Sequence, residues 1–123
     1  MYQHSFDTTI LRSYDIRGIF GKTLDRKDAF MLGFFYGITV KNKNPAKLNP
    51  LIIIGMDGRL SSPILEENLC AGLEKSGCEI YRIGLSPTPM LYFASHYYKA
   101  DGAVQVTGSH NPKEYNGFKI VLN

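Results

Sequence analysis

Cysteine is scarce: Cys70 and Cys78 are the only two in 123 residues. Two are too few for a disulfide framework, and they lack the spacing of a zinc site. Cys70 falls in an expected helix and Cys78 opens an expected strand, so both read as small buried hydrophobes. A reduced, cytoplasmic protein is the expectation. Nowhere is there a run of about 20 apolar residues to cross a membrane as a helix. The opening stretch from Met1 to Asp7 has no charged leader followed by an apolar core, so no signal peptide is read. Charge blocks are missing too. Lys and Arg number 14 against 11 Asp and Glu, a formal net charge of +3. That mild balance gives no argument for nucleic acid, although it would suit an anionic substrate.

What is present is an ordinary globular composition, 44% hydrophobic, in a chain of single-domain length that can bury a real core. The pattern is punctuated clearly. Residues 1–12 carry no clear period and read as an arm. Tyr14 to Phe20 alternates loosely and stops at Gly21, a short strand or extended loop. Asp25 is a good N-cap for a helix through about Val40, with Asp28 in the favoured first turn. From Ala29 onward this helix is apolar nearly all round, and Gly33 and Gly37 would admit a close neighbour. Its aromatics, Phe30, Phe34, Phe35 and Tyr36, have no basic interleaving and read as core, not as a base-stacking platform. Lys41 to Pro50 is a polar loop.

Leu51 to Gly55 is a continuous β-branched run, as in a strand buried on both faces of a parallel sheet. Ser62 then caps a helix with Pro63 at its first position, running to a stop at Gly77. Gly55 and Gly58 in the intervening turn lack the third glycine of a dinucleotide fingerprint, so nucleotide binding is rejected. Asp57 and Arg59 in that turn could equally buttress the loop or touch a ligand. Cys78 to Ile83 is a second strand. Thr88 caps a helix with Pro89 at its first position, through Tyr97. His96 on it reads as an exposed or packed histidine, not as a ligand. Ala103 to Val106 is the next strand, and Gly117 to Leu122 follows a turn holding Asn116-Gly117. This order implies a mostly parallel sheet with one added antiparallel strand. The Phe118-Ile120-Leu122 end is expected to be partly unsupported and open to self-association.

The chemistry concentrates in Thr107-Gly108-Ser109-His110-Asn111-Pro112 and in Tyr115-Asn116-Gly117-Phe118-Lys119. Ser109 follows a buried strand, at the sheet edge where ligands collect in open α/β folds. From the residues alone, a polar turn closing the strand is the simpler reading. A serine nucleophile needs activation, and no Ser-His-Asp arrangement with an orienting acid is visible. A triad hydrolase is therefore the weaker enzyme reading. Phosphoryl transfer asks chiefly for positioning and charge, and a phosphoserine of about −1.5 to −2 needs cations near it. Arg17 and Lys119 are candidates, as is a divalent metal. Without more, Arg17 reads as a surface ion pair with Asp15 or Asp25.

These segments together resemble the α-D-phosphohexomutase family of phosphoglucomutases and phosphomannomutases. Thr107 to Pro112 is similar to the family's phosphoserine signature, and Tyr14-Asp15-Ile16-Arg17-Gly18 to its N-terminal active-site arginine segment. Gly55-Met56-Asp57-Gly58-Arg59-Leu60-Ser61-Ser62 resembles its first strand-to-helix turn, and Pro87-Thr88-Pro89 the turn opening its next helix. The resemblance implies a three-layer α/β/α first domain over residues 1–123, with a mixed, mostly parallel sheet. It implies a mutase moving phosphate between positions 1 and 6 of glucose or mannose through phosphorylated Ser109 and a hexose 1,6-bisphosphate. His110 and Lys119 would handle proton and charge, Arg17 would orient the site, and Tyr14 would contact substrate. Magnesium would meet Ser109 through its phosphate, with its other ligands, three aspartates, on a further domain. No Asp-x-Asp-x-Asp occurs in this sequence, so the chain is expected to need the remaining domains and to be inactive alone. Gly108 and the Tyr115–Lys119 ending lean towards the bacterial phosphomannomutase/phosphoglucomutase group. A non-catalytic sugar-phosphate binder of the same fold and an interaction module are the rival classes.

Overall fold

The computed structural model describes residues 4–6, 15–109 and 111–121. In chain order these form β1 (Asp15–Ile19), α1 (Arg26–Lys43), β2 (Leu51–Met56), α2 (Ser62–Ser76), β3 (Glu79–Leu85), α3 (Thr88–Tyr97), β4 (Gly102–Val106) and β5 (Tyr115–Val121). One five-stranded sheet takes the order β1-β5-β4-β2-β3. β2 lies parallel to both β3 and β4, while β5 runs antiparallel to its two neighbours, β4 and β1. β1, β2, β3 and β4 therefore share one direction, and β5 is the added antiparallel strand.

The period-2 alternation of the strands sends neighbouring residues to opposite layers. Ile52, Ile54, Val104, Val106, Ile16 and Phe118 pack beneath α1 and α2 with Leu65, Leu69 and Leu73. Ile53 and Ala103 face the other way and pack with Leu91 and Ala94 of α3, joined by Val121. The result is the expected three-layer α/β/α sandwich. Helix α1 begins at a capping box in which the Asp25 side chain and Asp28 satisfy each other's backbone ends. It meets α2 closely because Gly33 and Gly72 face each other's backbones. A Cβ on Gly33 would meet the Leu69 carbonyl, and one on Gly72 the Phe30 carbonyl. Close backbone contact of this kind leaves room only for glycine. Among the described residues no helix is long and apolar enough to cross a membrane. Cys70 and Cys78 are free and buried, and His96 is exposed.

Several sequence expectations need correction. Asn116 and Gly117 do not form a turn: both are inside β5, paired with Gly18 and Arg17 of β1. Up to Val121 the Phe118 end is not unsupported, because β5 is an interior strand between β1 and β4, with Phe118 fully buried and Val121 nearly so; Leu122 lies outside the described residues. Pairing across long range outweighed the local Asn-Gly turn signal. Ser62 does not cap α2. Ser61 is the N-cap residue and makes no side-chain cap; its hydroxyl accepts from Asn116 at 2.8 Å, and the Ser62 hydroxyl donates to Asp57 at 2.6 Å. Thr88 is the first residue of α3, with Pro87 before it as the cap. The aromatic stretch of α1 is only partly core, with Tyr36 buried and Phe35 exposed.

Candidate functional site

Parallel strands β2, β3 and β4 all end at one edge, and the loops leaving β2 and β4 meet there. Thr107 extends the pairing by one bond, its N–H donating to the Gly117 carbonyl at 2.9 Å. After buried Thr107 and Gly108 the chain surfaces at Ser109. Ser109 adopts φ +55°, one of the described non-glycine residues in the left-handed region, a conformation costing about 1–2 kcal/mol. Among the described residues the Ser109 hydroxyl makes no hydrogen bond. Its backbone N–H, by contrast, donates to the Thr107 hydroxyl at 2.9 Å. The serine is thus held by its backbone and presents its side chain to solvent.

What holds it is a polar knot seeded by the β2–α2 loop. The Asp57 carboxylate accepts from four donors: the Arg59 N–H (3.1 Å), the Ser62 hydroxyl (2.6 Å), Arg59 Nε (3.2 Å) and the Gly108 N–H (2.9 Å). Burial pushes this carboxyl's pKa up, but hydrogen bonds from Ser62, the Arg59 and Gly108 amides and Thr107 outweigh it, and the net position is below the ordinary value. Arg59 then reaches into the loop after β4. Its Nη1 donates to the carbonyls of Pro112 (2.6 Å) and Tyr115 (3.0 Å), and its Nη2 to those of Ser109 (3.0 Å) and Asn111 (2.8 Å). Asn116, fully buried, donates to the hydroxyls of Ser61 (2.8 Å) and Ser62 (3.0 Å), tying the start of β5 to the start of α2.

Of the two possibilities that the sequence left open for Asp57 and Arg59, the buttress is what their side chains form. Asn116 was passed over as a turn residue. A buried asparagine inside a strand carries no periodic signal, and only its two serine partners reveal its part.

The remaining sequence-predicted residues fall into two groups. Arg17 and Lys119 stand on one face of neighbouring strands, since Arg17 opposes Gly117 and Lys119 opposes Asp15. Lys119 is also opposite Gln105 of β4. It is the same face on which α3 packs over β2 and β4. Arg17 is only 3% exposed. Its Nη1 donates to the Ile16 carbonyl at 2.9 Å and its Nη2 lies 3.9 Å from Asp15. The ion pair with Asp15 that the residues alone suggested is present, but its cation is buried and not on the surface. Among the described residues Lys119 forms no ion pair, and no hydrogen bond joins it to Ser109. Tyr14 and His110 lie outside the described residues.

A cleft of about 860 Å³ opens at the same edge between Phe20, Asp57, Arg59, Leu60, Asn111 and Glu114. Ser109, Arg17 and Lys119 are not among its walls, so these three side chains and the cleft are not the same place. Among the described residues no three His, Cys, Asp or Glu side chains gather as metal ligands.

Comparison with known proteins agrees with this arrangement. Residues 8–123 match the family described as phosphoglucomutase/phosphomannomutase, alpha/beta/alpha domain I. The phosphomannomutase/phosphoglucomutase of Pseudomonas putida is 46% identical over 114 residues, 93% of this chain and 24% of that protein. The phosphoglucomutase of Neisseria gonorrhoeae is 43% identical, over 96% of this chain and 25% of its own length. A crystal structure of a phosphoglucomutase/phosphomannomutase family protein from Burkholderia thailandensis superposes with a TM-score of 0.85 at 38% identity, covering 96% of this chain and 27% of that one. The chain spans about a quarter of the length of the curated relatives it matches.

Proposed function

The chain belongs to the phosphoglucomutase/phosphomannomutase family, and we propose that in its full-length protein Ser109 carries the phosphoryl group exchanged with a hexose phosphate. Phosphorylated Ser109 gives its phosphoryl group to the free hydroxyl at position 6 or 1 of the bound sugar monophosphate, which loses its proton. The hexose 1,6-bisphosphate so formed turns over and returns its other phosphoryl group to the Ser109 oxygen. The net change is phosphate moved between positions 1 and 6, with Ser109 phosphorylated again. Glucose and mannose phosphates are the proposed substrates, after the activities that the relatives' names state.

The observation that carries this reading is Ser109 itself: an exposed hydroxyl on a loop whose backbone is tied by hydrogen bonds to Arg59 and Thr107, at the sheet edge where open α/β folds bind ligands. Catalysis of phosphoryl transfer is largely positioning and charge stabilisation, and a loop tied in this way suits it. Arg17 and Lys119 supply cationic charge from one sheet face. His110 handles the proton of the reacting hydroxyl and Tyr14 contacts the sugar phosphate. Magnesium enters as a partner of the phosphoserine, with its remaining ligands outside the described residues. The two buried free cysteines suit a reduced, cytoplasmic setting.

The experiment is peptide mass spectrometry of the full-length protein before and after incubation with hexose 1,6-bisphosphate and magnesium, paired with mutase assays of Ser109→Ala. One added phosphoryl group on Ser109, and loss of nearly all activity in the variant, are the expected results. An unmodified Ser109, or substantial activity in Ser109→Ala, overturns the proposal and leaves a sugar-phosphate binder of the same fold.

A further inference from the structure

We infer that Arg59 is the positioning residue of the phosphoryl-carrying loop and takes no part in binding phosphate, an inference that rests on the reading of Ser109 above. A guanidinium has five N–H groups. Here Nε is given to Asp57, Nη1 to the carbonyls of Pro112 and Tyr115, and Nη2 to those of Ser109 and Asn111. Every nitrogen is committed within the protein, and no bidentate fork remains for a phosphate. An arginine in a loop beside a phosphoryl site would ordinarily be taken for a phosphate ligand. Its contacts assign it to the loop instead.

The geometry shows what that work is. Four carbonyl oxygens between Ser109 and Tyr115 converge on one cation, across a sequence separation of 50 or more residues. The Arg59 cation offsets the partial negative charge of these oxygens, which a doubly charged phosphoserine beside them would otherwise meet unfavourably. One of the four belongs to Ser109, whose left-handed φ of +55° needs such outside support. The preceding residue is cut to fit. A Cβ on Gly108 would fall on the Arg59 guanidinium, while the Gly108 N–H is tied to the carboxylate that orients Arg59, at 2.9 Å. Asp57, Arg59 and Gly108 thus form one unit, built from two loops, that sets where the Ser109 oxygen stands.

The test is a double-mutant cycle in the full-length protein with Arg59→Ala, Gly108→Ala and the pair, plus Arg59→Lys. kcat and KM for hexose 1-phosphate are measured beside amide hydrogen exchange in residues 108–115. Arg59→Ala is expected to lower kcat about 100-fold, the effect of a misplacement on the order of 1 Å, with KM changed far less. Arg59→Lys should restore little, because one ammonium cannot serve five acceptor contacts. Gly108→Ala alone should be similarly damaging. In the Arg59→Ala background it should add little, since the space that its methyl needs has been vacated. Amides of the loop should exchange faster in each variant. A raised KM with rescue by lysine would make Arg59 a phosphate ligand and overturn the inference, as would multiplicative effects of the two alanines or unchanged exchange. If the unmutated protein proves to have no mutase activity, the reading of Ser109 fails while the exchange data still decide the clamp.

Discussion

Asp57 is the residue on which the candidate site turns, and its protonation makes a checkable prediction. Its carboxyl sits below the ordinary value in the folded protein because four or more donors address it. A group whose folded pKa is depressed contributes stability that is fully present above the unfolded value, about 3.9, and is lost as the pH falls through the folded one. Asp57→Asn presents a donor where the wild type presents only acceptors, so at least one of the Gly108, Arg59 and Ser62 donors is left facing it. Thermal unfolding at neutral pH should show destabilisation of about 1–3 kcal/mol. Below about pH 4 the gap between wild type and variant should narrow. A gap that stays constant from pH 7 to pH 3 would contradict the arrangement. At this scale the sequence showed Asp57, Arg59 and Ser109 as chemistry-bearing residues. It could not show that the first two spend their hydrogen bonds on the loop holding the third, because those partners lie 50 or so positions away.

Between elements, the decisive contact is α1 on α2. Gly72 abuts the Phe30 carbonyl and the Phe34 N–H, and Gly33 abuts the Leu69 carbonyl. No side-chain rearrangement relieves a clash with backbone, so a Gly72→Val change must push the helices apart and open the core beneath Leu65, Leu69 and Leu73. The expected cost is about 1–3 kcal/mol or more, measured by denaturant unfolding. A Gly58→Ala control, where an added Cβ would have only Leu85 at 3.8 Å, should leave stability nearly unchanged. Equal stabilities for the two variants would rule out the close helix contact. Helix starts and stops were legible because capping and glycine chemistry are local: the Asp25 box and the Gly77 stop, at φ +98°, are where the sequence put them. Strand β5 was half legible. Its apolar residues marked a strand, but its neighbours were not encoded nearby, so an interior strand looked like an exposed end.

For the whole molecule, the chain spans about a quarter of its relatives, and the described residues assemble no metal-ligand cluster. Residues 1–123 alone, given hexose 1-phosphate and a trace of hexose 1,6-bisphosphate with magnesium, are expected to show no turnover above background, while the full-length protein turns over. Turnover by the 123-residue chain would mean that the reaction needs less than the proposed mechanism assigns to the rest of the protein. The placement of Arg17 and Lys119 belongs to this scale too. They come from opposite ends of the described chain and share a face only because β1 and β5 pair antiparallel in one register. A slip by one residue would send Lys119 to the opposite face, under α1 and α2.

The sequence by itself determined the alternation of strands and helices, the helix boundaries to within a few residues, the mostly parallel sheet and the polar segment around Ser109. Each of these depends on propensities and periods that operate over a few neighbouring residues. Tertiary structure alone decided that β5 lies inside the sheet, that Asn116 is buried, and that Asp57 and Arg59 form a clamp on the Ser109 loop. These are matters of which distant backbone groups find each other. Pairing of that kind depends on the three-dimensional burial of polar groups, each of which must find a partner somewhere, and no local pattern names the partner.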